Sequence, residues 1–363
     1  MAGVARVPQD TGAQAPVRAQ QAAPLQGVGP GNLSMAGAAV TSDAPVNSTR
    51  HSALSTLHFA RRHVLDLDDF AADEIEHVLA TADAMKEVLG RKIKQVPALR
   101  GVTVVTLFYE ASTRTRVSFE LAAKHLAADV VNVAAASSSV TKGESLLDTA
   151  HTLRALGADI LVMRHGEAGA PYLVAERASC QVINAGDGWH AHPTQALLDL
   201  YTLRERLGGV AGRRIAIVGD VLHSRVARSD VWGFTRLGAS VVLCGPPTLL
   251  PTGELPWPVE VEYDLDRALR GADVVMALRL QRERQSAGLL PSLREYVQLY
   301  GLTAERLERA CPGAVVMHPG PMNEGVEIMP EVAYGARSAI AEQVTNGVAI
   351  RMALLYLLGG GAA

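Results

Sequence analysis

Beyond residue 100 the chain alternates short β-branched apolar runs with segments of helical period, and it does so in two successive series. In the first, "GVTVVTLFYE", "DVVNVA", "ADILVMRH" and "CQVINAGDG" read as strands. They are separated by the helical segments "STRTRVSFELAAKHLAA", "LLDTAHTLRAL" and "GAPYLVAERA". In the second, "RRIAIVGD", "ASVVLCGP", "DVVMALRL" and "GAVVMHPGP" are the strands, with "SRVARSDVWGFTRLG", "DLDRALRGA" and the helix pair of "PSLREYVQLYGLTAERLERA" between them. Strand–helix alternation of this kind leaves few options. Each series predicts an α/β domain with a parallel sheet flanked by helices, and the two domains enclose a cleft in which a site would lie. Aromatic residues make up only 4 % of the chain, so the core must rest on Val, Leu, Ile and Ala.

The helix "HPTQALLDLYTLRERLG" separates the two series and is expected to be the hinge. It carries Pro at its second residue and ends at Gly208 and Gly209, a common pairing of start and stop signals. The expected organisation is an extension over 1–50, a first domain over 51–195 completed by the C-terminal helix 343–363, and a second domain over 196–342. The first 50 residues lack helical or strand period and have few charges, and they read as a disordered extension. They also lack the compact apolar segment of a secretory signal, and a tail is favoured over a transit peptide.

In parallel sheets, ligands bind outside the carboxyl ends of the strands. The unusual residues of this chain fall there six times: after "LFYE", "LVMR", "INAGDG", "IVGD", "MALR" and "VVMH". The densest instance is "FYEASTRTRVSFE". Ser112 falls at the strand-to-helix junction, where the first helical N–H groups and the positive end of the dipole make an anion site. Thr113 and Thr115 add hydroxyls, and Arg114 offers a planar fork suited to phosphate oxygens. Arg116 lies about 200° round the helix from Arg114, so only Arg114 is assigned to the anion.

Arg164 ends a buried strand and therefore needs either a carboxylate or a ligand. His192 and Gln195 share one face of a helix N-terminus, while His190 is out of phase. The turn "IVGDVLHSRVARSD" lacks the glycines of a dinucleotide fold, and its Arg225 is better suited to a carboxylate. "LRLQRER" adds a second cationic cluster with Arg279, Gln281, Arg282 and Arg284, and "SSSVTKGES" is a polar loop that could bring Lys142 over a phosphate. His318, Pro319, Gly320 and Pro321 form a stiff turn that presents backbone carbonyls. Together these residues describe one phosphate-type and one carboxylate-type site facing each other, with Arg164 and His192 at the seam. Such a site would act by holding two anions in reacting geometry and stabilising charge on a carbonyl oxygen.

Several classes are excluded or disfavoured. A formal net charge of −3 gives no field for nucleic acid or membrane surfaces. No apolar run approaches a membrane span. Cys180, Cys244 and Cys311 are too sparse and scattered for a disulfide framework or a zinc site, which suits a reducing cytoplasm. No Walker loop, metal signature or Ser-His-Asp order is present.

From about His51 to about Leu358, the motifs "FYEASTRTRVSFE", "HPTQALLDL", "RLQRER" and "HPGPMN" in combination resemble the aspartate/ornithine carbamoyltransferase family. Within it, "HPGPMN" resembles the aspartate branch. The ornithine branch reads His-Cys-Leu-Pro there, and an arginine-rich "RLQRER" matches a dicarboxylate better than a cationic amino acid. The resemblance implies transfer of the carbamoyl group of carbamoyl phosphate to the amine of L-aspartate, in pyrimidine synthesis and without a cofactor.

The resemblance also implies roles. Ser112, Thr113, Arg114 and Thr115 would hold the phosphate. Thr115, Arg164 and His192 would surround the carbonyl oxygen as the catalytic set, and Gln195 would meet the carbamoyl amide. Arg225, Arg279 and Gln281 would bind the aspartate carboxylates, and the carbonyls of Pro319 and Gly320 would meet the amide or amine. Ser138 or Ser139, together with Lys142, would arrive from an adjacent subunit, since the resemblance implies a homotrimer with shared sites. A complex with dihydroorotase, or with an inactive homologue of it, is a further implied partner. Two positions depart from the pattern: Asp230 stands where Asn is common, and Glu324 where a basic residue is usual. Both are expected to add negative charge near the site if they point inward. The alternatives are transfer to ornithine or another amine, and a non-catalytic scaffold. So many convergent cations argue against the scaffold.

Overall fold

The computed structural model describes residues 59–134, 143–281, 289, 290 and 292–360, all within one compact unit, Thr49–Ala363. The first sheet is built from β1 (Thr103–Phe108), β2 (Asp129–Ala134), β3 (Ile160–His165) and β4 (Gln181–Asp187), in the order β2-β1-β3-β4. All its pairings are parallel. Its helices are α1 (Ala72–Gly90), which precedes the sheet, α2 (Thr113–His125), α3 (Leu146–Ala155) and α4 (Ala170–Arg177).

A connecting helix, α5 (Pro193–Leu207), leads to the second sheet: β5 (Arg214–Val218), β6 (Ser240–Cys244), β7 (Val259–Glu262), β8 (Val274–Ala277) and β9 (Val315–Met317). Its order is β7-β6-β5-β8-β9, again all parallel. Around it lie α6 (Arg225–Arg236), α7 (Leu265–Leu269), α8 (Leu293–Tyr300), α9 (Ala304–Ala310) and α10 (Pro330–Ala333). The chain then returns through α11 (Ile340–Gly359).

Two parallel α/β sheets are thus observed, as the alternation predicts. One strand differs from the sequence reading. "VEVE" becomes β7, a half-exposed edge strand that carries too few apolar side chains to announce itself.

The strands are short and buried because both faces are covered, as parallel sheets require. β1 and β3 are each buried along nearly their whole length. One apolar core runs through both sheets: Val104, Ile160 and Ile183 from the first join Ile215, Leu243 and Met276 from the second. Separate clusters fill the outer face of each sheet.

The helix expected to be the hinge, α5, is buried at every residue from Pro193 to Leu203 and packs against α6 and α11. It is capped at its C-terminus by left-handed Gly208. α11 packs on α1, α2 and α5, so the last helix closes back onto first-series helices. Together α5, α6 and α11 form a post between the sheets, and the described candidate groups lie at the strand ends around it.

Candidate active site

In the first sheet the chain moves outward from β1 to β2 and then crosses to β3, so the order reverses between β1 and β3. In the second it reverses between β5 and β8. Ligand crevices form at such switch points. Here the two face one cavity of about 1040 Å³. Each of the six strand ends singled out by the sequence contributes to its lining. β1 gives Glu110 and Ser112–Thr115, β3 gives Arg164, and β4 gives Trp189, His192 and Gln195. β5 gives Arg225, β8 gives Arg279 and Gln281, and β9 gives His318–Pro321. Ser138, Ser139, Lys142, Arg282 and Arg284 lie outside the described residues, as does the 1–50 extension.

The anion mouth is local in origin. β1 ends at Phe108, and Ser112 occupies the N-cap of α2 in extended conformation. Its hydroxyl does not cap the helix but donates to Thr115 Oγ1 at 3.0 Å. The first-turn N–H groups are therefore left to a ligand. Arg114 opens to the cavity and donates a long hydrogen bond, 3.5 Å, to the Pro319 carbonyl across the cleft. Partial loss of solvent and then the nearby Arg279 disfavour its charge, and a bound anion would relieve the repulsion. Arg116 is absent from the lining, as its helical phase predicts.

At Gly320 the backbone is left-handed, φ +61°, and a Cβ there would collide with the Arg114 guanidinium. The Gly320–Pro321 peptide is cis. His318 holds the turn from below. Its Nδ1 accepts from Gly320 N at 2.7 Å, so Nε2 carries the hydrogen directed at Glu327 Oε1, 3.2 Å away. Glu327 in turn accepts from the Asn323 backbone and side chain.

The seam is organised by a residue to which the sequence reading gave no role. Glu110, two residues past β1, accepts from Arg164 Nη2 at 2.8 Å. It also accepts from Arg225 through both of that residue's terminal nitrogens, at 2.6 and 2.9 Å. The carboxylate that buried Arg164 requires is thus Glu110, shared with an arginine 115 positions later in the chain. Both guanidinium groups also donate to backbone: Arg164 to the Ala185 carbonyl and Arg225 to that of Gly188. Gly186, at φ +115°, leaves the space they need, since a Cβ there would stand 2.9 Å from Arg225 Nε and 3.2 Å from Arg164 Nη1.

His192 is buried beside them. Loss of solvent, then Arg164, Arg225 and Arg351, push its pKa well below the ordinary histidine value, so the ring is neutral. Its backbone N–H donates to Ser229 Oγ, which donates to Asp66, and this fixes the start of α5.

Arg351, on α11, is buried, lines the cavity and donates to Ser118 Oγ at 2.7 Å. The sequence reading gave it no role. Gln343 was also missed: it accepts from His318 N and donates to Asp199. Gln195 donates to Asp199 as well, at 3.1 and 3.2 Å to its two oxygens. Gln281 is nearer the rim and donates a long bond to the His223 carbonyl.

Neither departure lines the cavity. Asp230 is fully buried against Asp199, and burial followed by the Asp199 charge raises its pKa well above the carboxylate range. Glu324 is exposed, lies off the cavity and accepts from the Tyr334 hydroxyl at 2.5 Å. Among the described residues, no group of three or more His, Cys, Asp or Glu is placed to hold a metal ion.

Residues 62–205 match the family model described as the carbamoyl-phosphate-binding domain of aspartate/ornithine carbamoyltransferases, and residues 211–358 match the one for their aspartate/ornithine-binding domain. An aspartate carbamoyltransferase catalytic subunit of Roseiflexus castenholzii is 66 % identical over 83 % of this chain and 96 % of the relative. One of Moorella thermoacetica is 59 % identical over 84 % of this chain and 100 % of the relative.

Among solved structures, the aspartate transcarbamoylase of Trypanosoma cruzi in complex with carbamoyl phosphate and aspartate superposes with a TM-score of 0.74 at 30 % identity. That match covers 82 % of this chain and 96 % of that one. The ornithine carbamoyltransferase of Pyrococcus furiosus gives 0.75 at 29 % identity, over 85 % and 100 %. With both family models matched in order and relatives this similar over most of its length, the chain belongs to the aspartate/ornithine carbamoyltransferase family.

Proposed function

We propose that this chain is an aspartate carbamoyltransferase, which moves the carbamoyl group of carbamoyl phosphate onto the amine of L-aspartate and releases phosphate. The observation that carries the reading is the single cavity into which six strand ends deliver an anion mouth, a neutral buried histidine and a second set of cations. In this reading the phosphate sits at the N-terminus of α2, held by Ser112, Thr113, Arg114 and Thr115. The carbamoyl oxygen faces Thr115, Arg164 and neutral His192. Arg225, Arg279 and Gln281 take the aspartate carboxylates.

The chemistry follows from that placement. The deprotonated amine attacks the carbonyl carbon, and charge develops on its oxygen. Arg164 and the Thr115 hydroxyl stabilise that charge at fixed positions, and His192 does so as a hydrogen-bond donor rather than as an acid. Collapse breaks the C–O bond to phosphate, which takes the proton lost by the amine, and the resulting dianion stays in the α2 mouth. Glu110 holds Arg164 and Arg225 in place while the site is unliganded. The Pro319 and Gly320 carbonyls accept from the carbamoyl amide or the attacking amine.

The reading extends to assembly and place. Ser138 (or Ser139) and Lys142 would complete the site of an adjacent chain in a homotrimer, with Lys142 reaching both substrates. Support comes from an apolar rim beside the cavity, where Val117, Leu121 and Val344 are 42, 41 and 50 % exposed. A cytoplasmic enzyme of pyrimidine synthesis is the corresponding place in the cell. Among the described residues, no helix is long and apolar enough to cross a membrane.

The test is phosphate release from carbamoyl phosphate with aspartate or ornithine as acceptor. Turnover with aspartate alone is expected. Turnover only with ornithine, or with neither, overturns the reading. Mixed trimers of Arg114→Ala and Lys142→Ala chains should recover part of the activity that each lacks, and no recovery would count against shared sites.

A further inference from the structure

Behind Gln195, two aspartates from different helices meet with no solvent between them. Asp199 lies on α5 and Asp230 on α6, and both are fully buried. Their hydrogen bonding is lopsided. Asp199 accepts from Gln195 Nε2 and from Gln343 Nε2, the latter at 2.6 Å. Among the described residues, no donor reaches either oxygen of Asp230, whose neighbour is the Asp199 carboxyl itself.

Two ionised carboxylates in contact and away from water would repel strongly, with two acceptors facing each other and nothing between them. One shared proton removes both problems. The donors gathered at Asp199 favour its ionised form, so the proton belongs to Asp230. Arg351 on α11 is the cation facing the pair, and it balances a single negative charge but not two. Around the pair, β6 packs Val241 and Leu243 against α6, Asp66 is bound to Ser229, and His192, whose backbone N–H reaches Ser229, is kept neutral by burial and the nearby arginines.

We propose that Asp230 carries a proton at neutral pH and donates it to Asp199, and that this acid–carboxylate pair is a positioning device for the cavity. The pair has two outputs. With Nε2 committed to Asp199, Gln195 has its Oε1 available as an acceptor toward the cavity, the polarity a carbamoyl amide requires. Gln343, held by the same carboxylate, accepts from His318 N and so fixes the strand end that carries Pro319 and Gly320. Asp230 touches no ligand and acts only through Asp199. The catalytic part of this inference rests on the carbamoyltransferase reading; the proton itself does not.

The sign of the pH effect follows from burial. A carboxyl whose folded pKa lies above its unfolded value loses stability as pH rises, because the unfolded chain gives up the proton first. Asp230→Asn keeps the shape and an N–H donor but cannot ionise.

Three measurements on the full chain test the proposal. In the infrared spectrum near pH 7.5, above the region of about 6 where burial places the Asp66 titration, a protonated-carboxyl band should be present in the wild type and absent from Asp230→Asn. Between about pH 7 and 9, the folding equilibrium of Asp230→Asn should gain on the wild type by up to roughly tenfold per pH unit. At neutral pH, Asp230→Asn should keep kcat and KM within about twofold. Asp230→Ala, which leaves Asp199 without its donor, should lose on the order of tenfold in kcat/KM. A missing band, a band that survives in Asp230→Asn, or parallel stability profiles would overturn the shared proton. Both proton signals intact with unchanged turnover in Asp230→Ala would overturn the positioning role alone. If no acceptor supports turnover, the carbamoyltransferase reading fails and the proton result still stands.

Discussion

On the first-sheet side of the cavity, Arg114 reaches across open space to a single carbonyl, 3.5 Å away. On the seam, Arg164 and Arg225 are buried and share the Glu110 carboxylate at 2.6 to 2.9 Å. One cation is left for a ligand, and the other two already share one carboxylate of the protein, which offsets one of their two charges. The difference follows from solvent. A guanidinium facing water can wait for its anion, whereas a buried pair without a carboxylate would cost several kcal/mol. The first side should therefore govern catalysis with little effect on folding, and the seam should govern both.

The largest test of that contrast is Arg114→Ala. Removing the phosphate fork should lower kcat by about 1,000-fold, while the melting temperature stays near that of the wild type. Near-normal turnover would remove Arg114 from the phosphate role. Glu110→Gln should behave in the opposite way. It leaves two buried cations without a carboxylate, and unfolding in denaturant should show a loss of roughly 2 kcal/mol, tempered by the partial exposure of Glu110. Added phosphate or a dicarboxylate should restore more stability to this variant than to the wild type. If Glu110→Gln is as stable as wild type, the seam is not held by that charge.

A smaller effect separates the neutral histidine from its cationic neighbours. The folded pKa of His192 lies below the unfolded value, so the unfolded chain takes up the proton as pH falls through about 6.5. Stability should then decline toward acid by up to about 1.4 kcal/mol per pH unit, and His192→Gln should flatten that decline. An unchanged acid slope in the variant would mean that His192 is not buried neutral. The smallest effects belong to the groups that face away. Arg116→Ala and Glu324→Lys should each change stability by less than about 0.5 kcal/mol. Turnover under saturating substrates should be unaltered, and a large loss in either would place that side chain inside the cavity after all.

Local features were legible and distant pairings were not. The Ser112–Thr115 junction could be recognised because it is made by one strand end and one helix start, contiguous in the chain. The phase argument separated Arg114 from Arg116 for the same reason. Glu110 was in plain view within the same stretch, but its role depends on Arg225, 115 positions on. Arg351 and Gln343 belong to the last helix and meet the site only because α11 returns to α2 and α5. That Asp230 is buried against Asp199 and off the cavity lining was not legible, because a sequence shows a carboxyl without showing its solvent.

By itself the sequence determined two parallel α/β sheets, since strand and helix periods are set by local backbone geometry and side-chain polarity. It also determined that chemistry gathers at six strand ends, because parallel sheets leave their ligand groups there. Only the tertiary structure decided that β1 with β3 and β5 with β8 are the facing switch points, and that Glu110 is the counterion of both seam arginines. It alone decided that Asp230 is buried against Asp199 and off the cavity lining. Those outcomes depend on burial and on contacts between residues far apart in the chain. Desolvation and Coulomb energies are set by distance and dielectric in three dimensions, which a linear pattern does not contain.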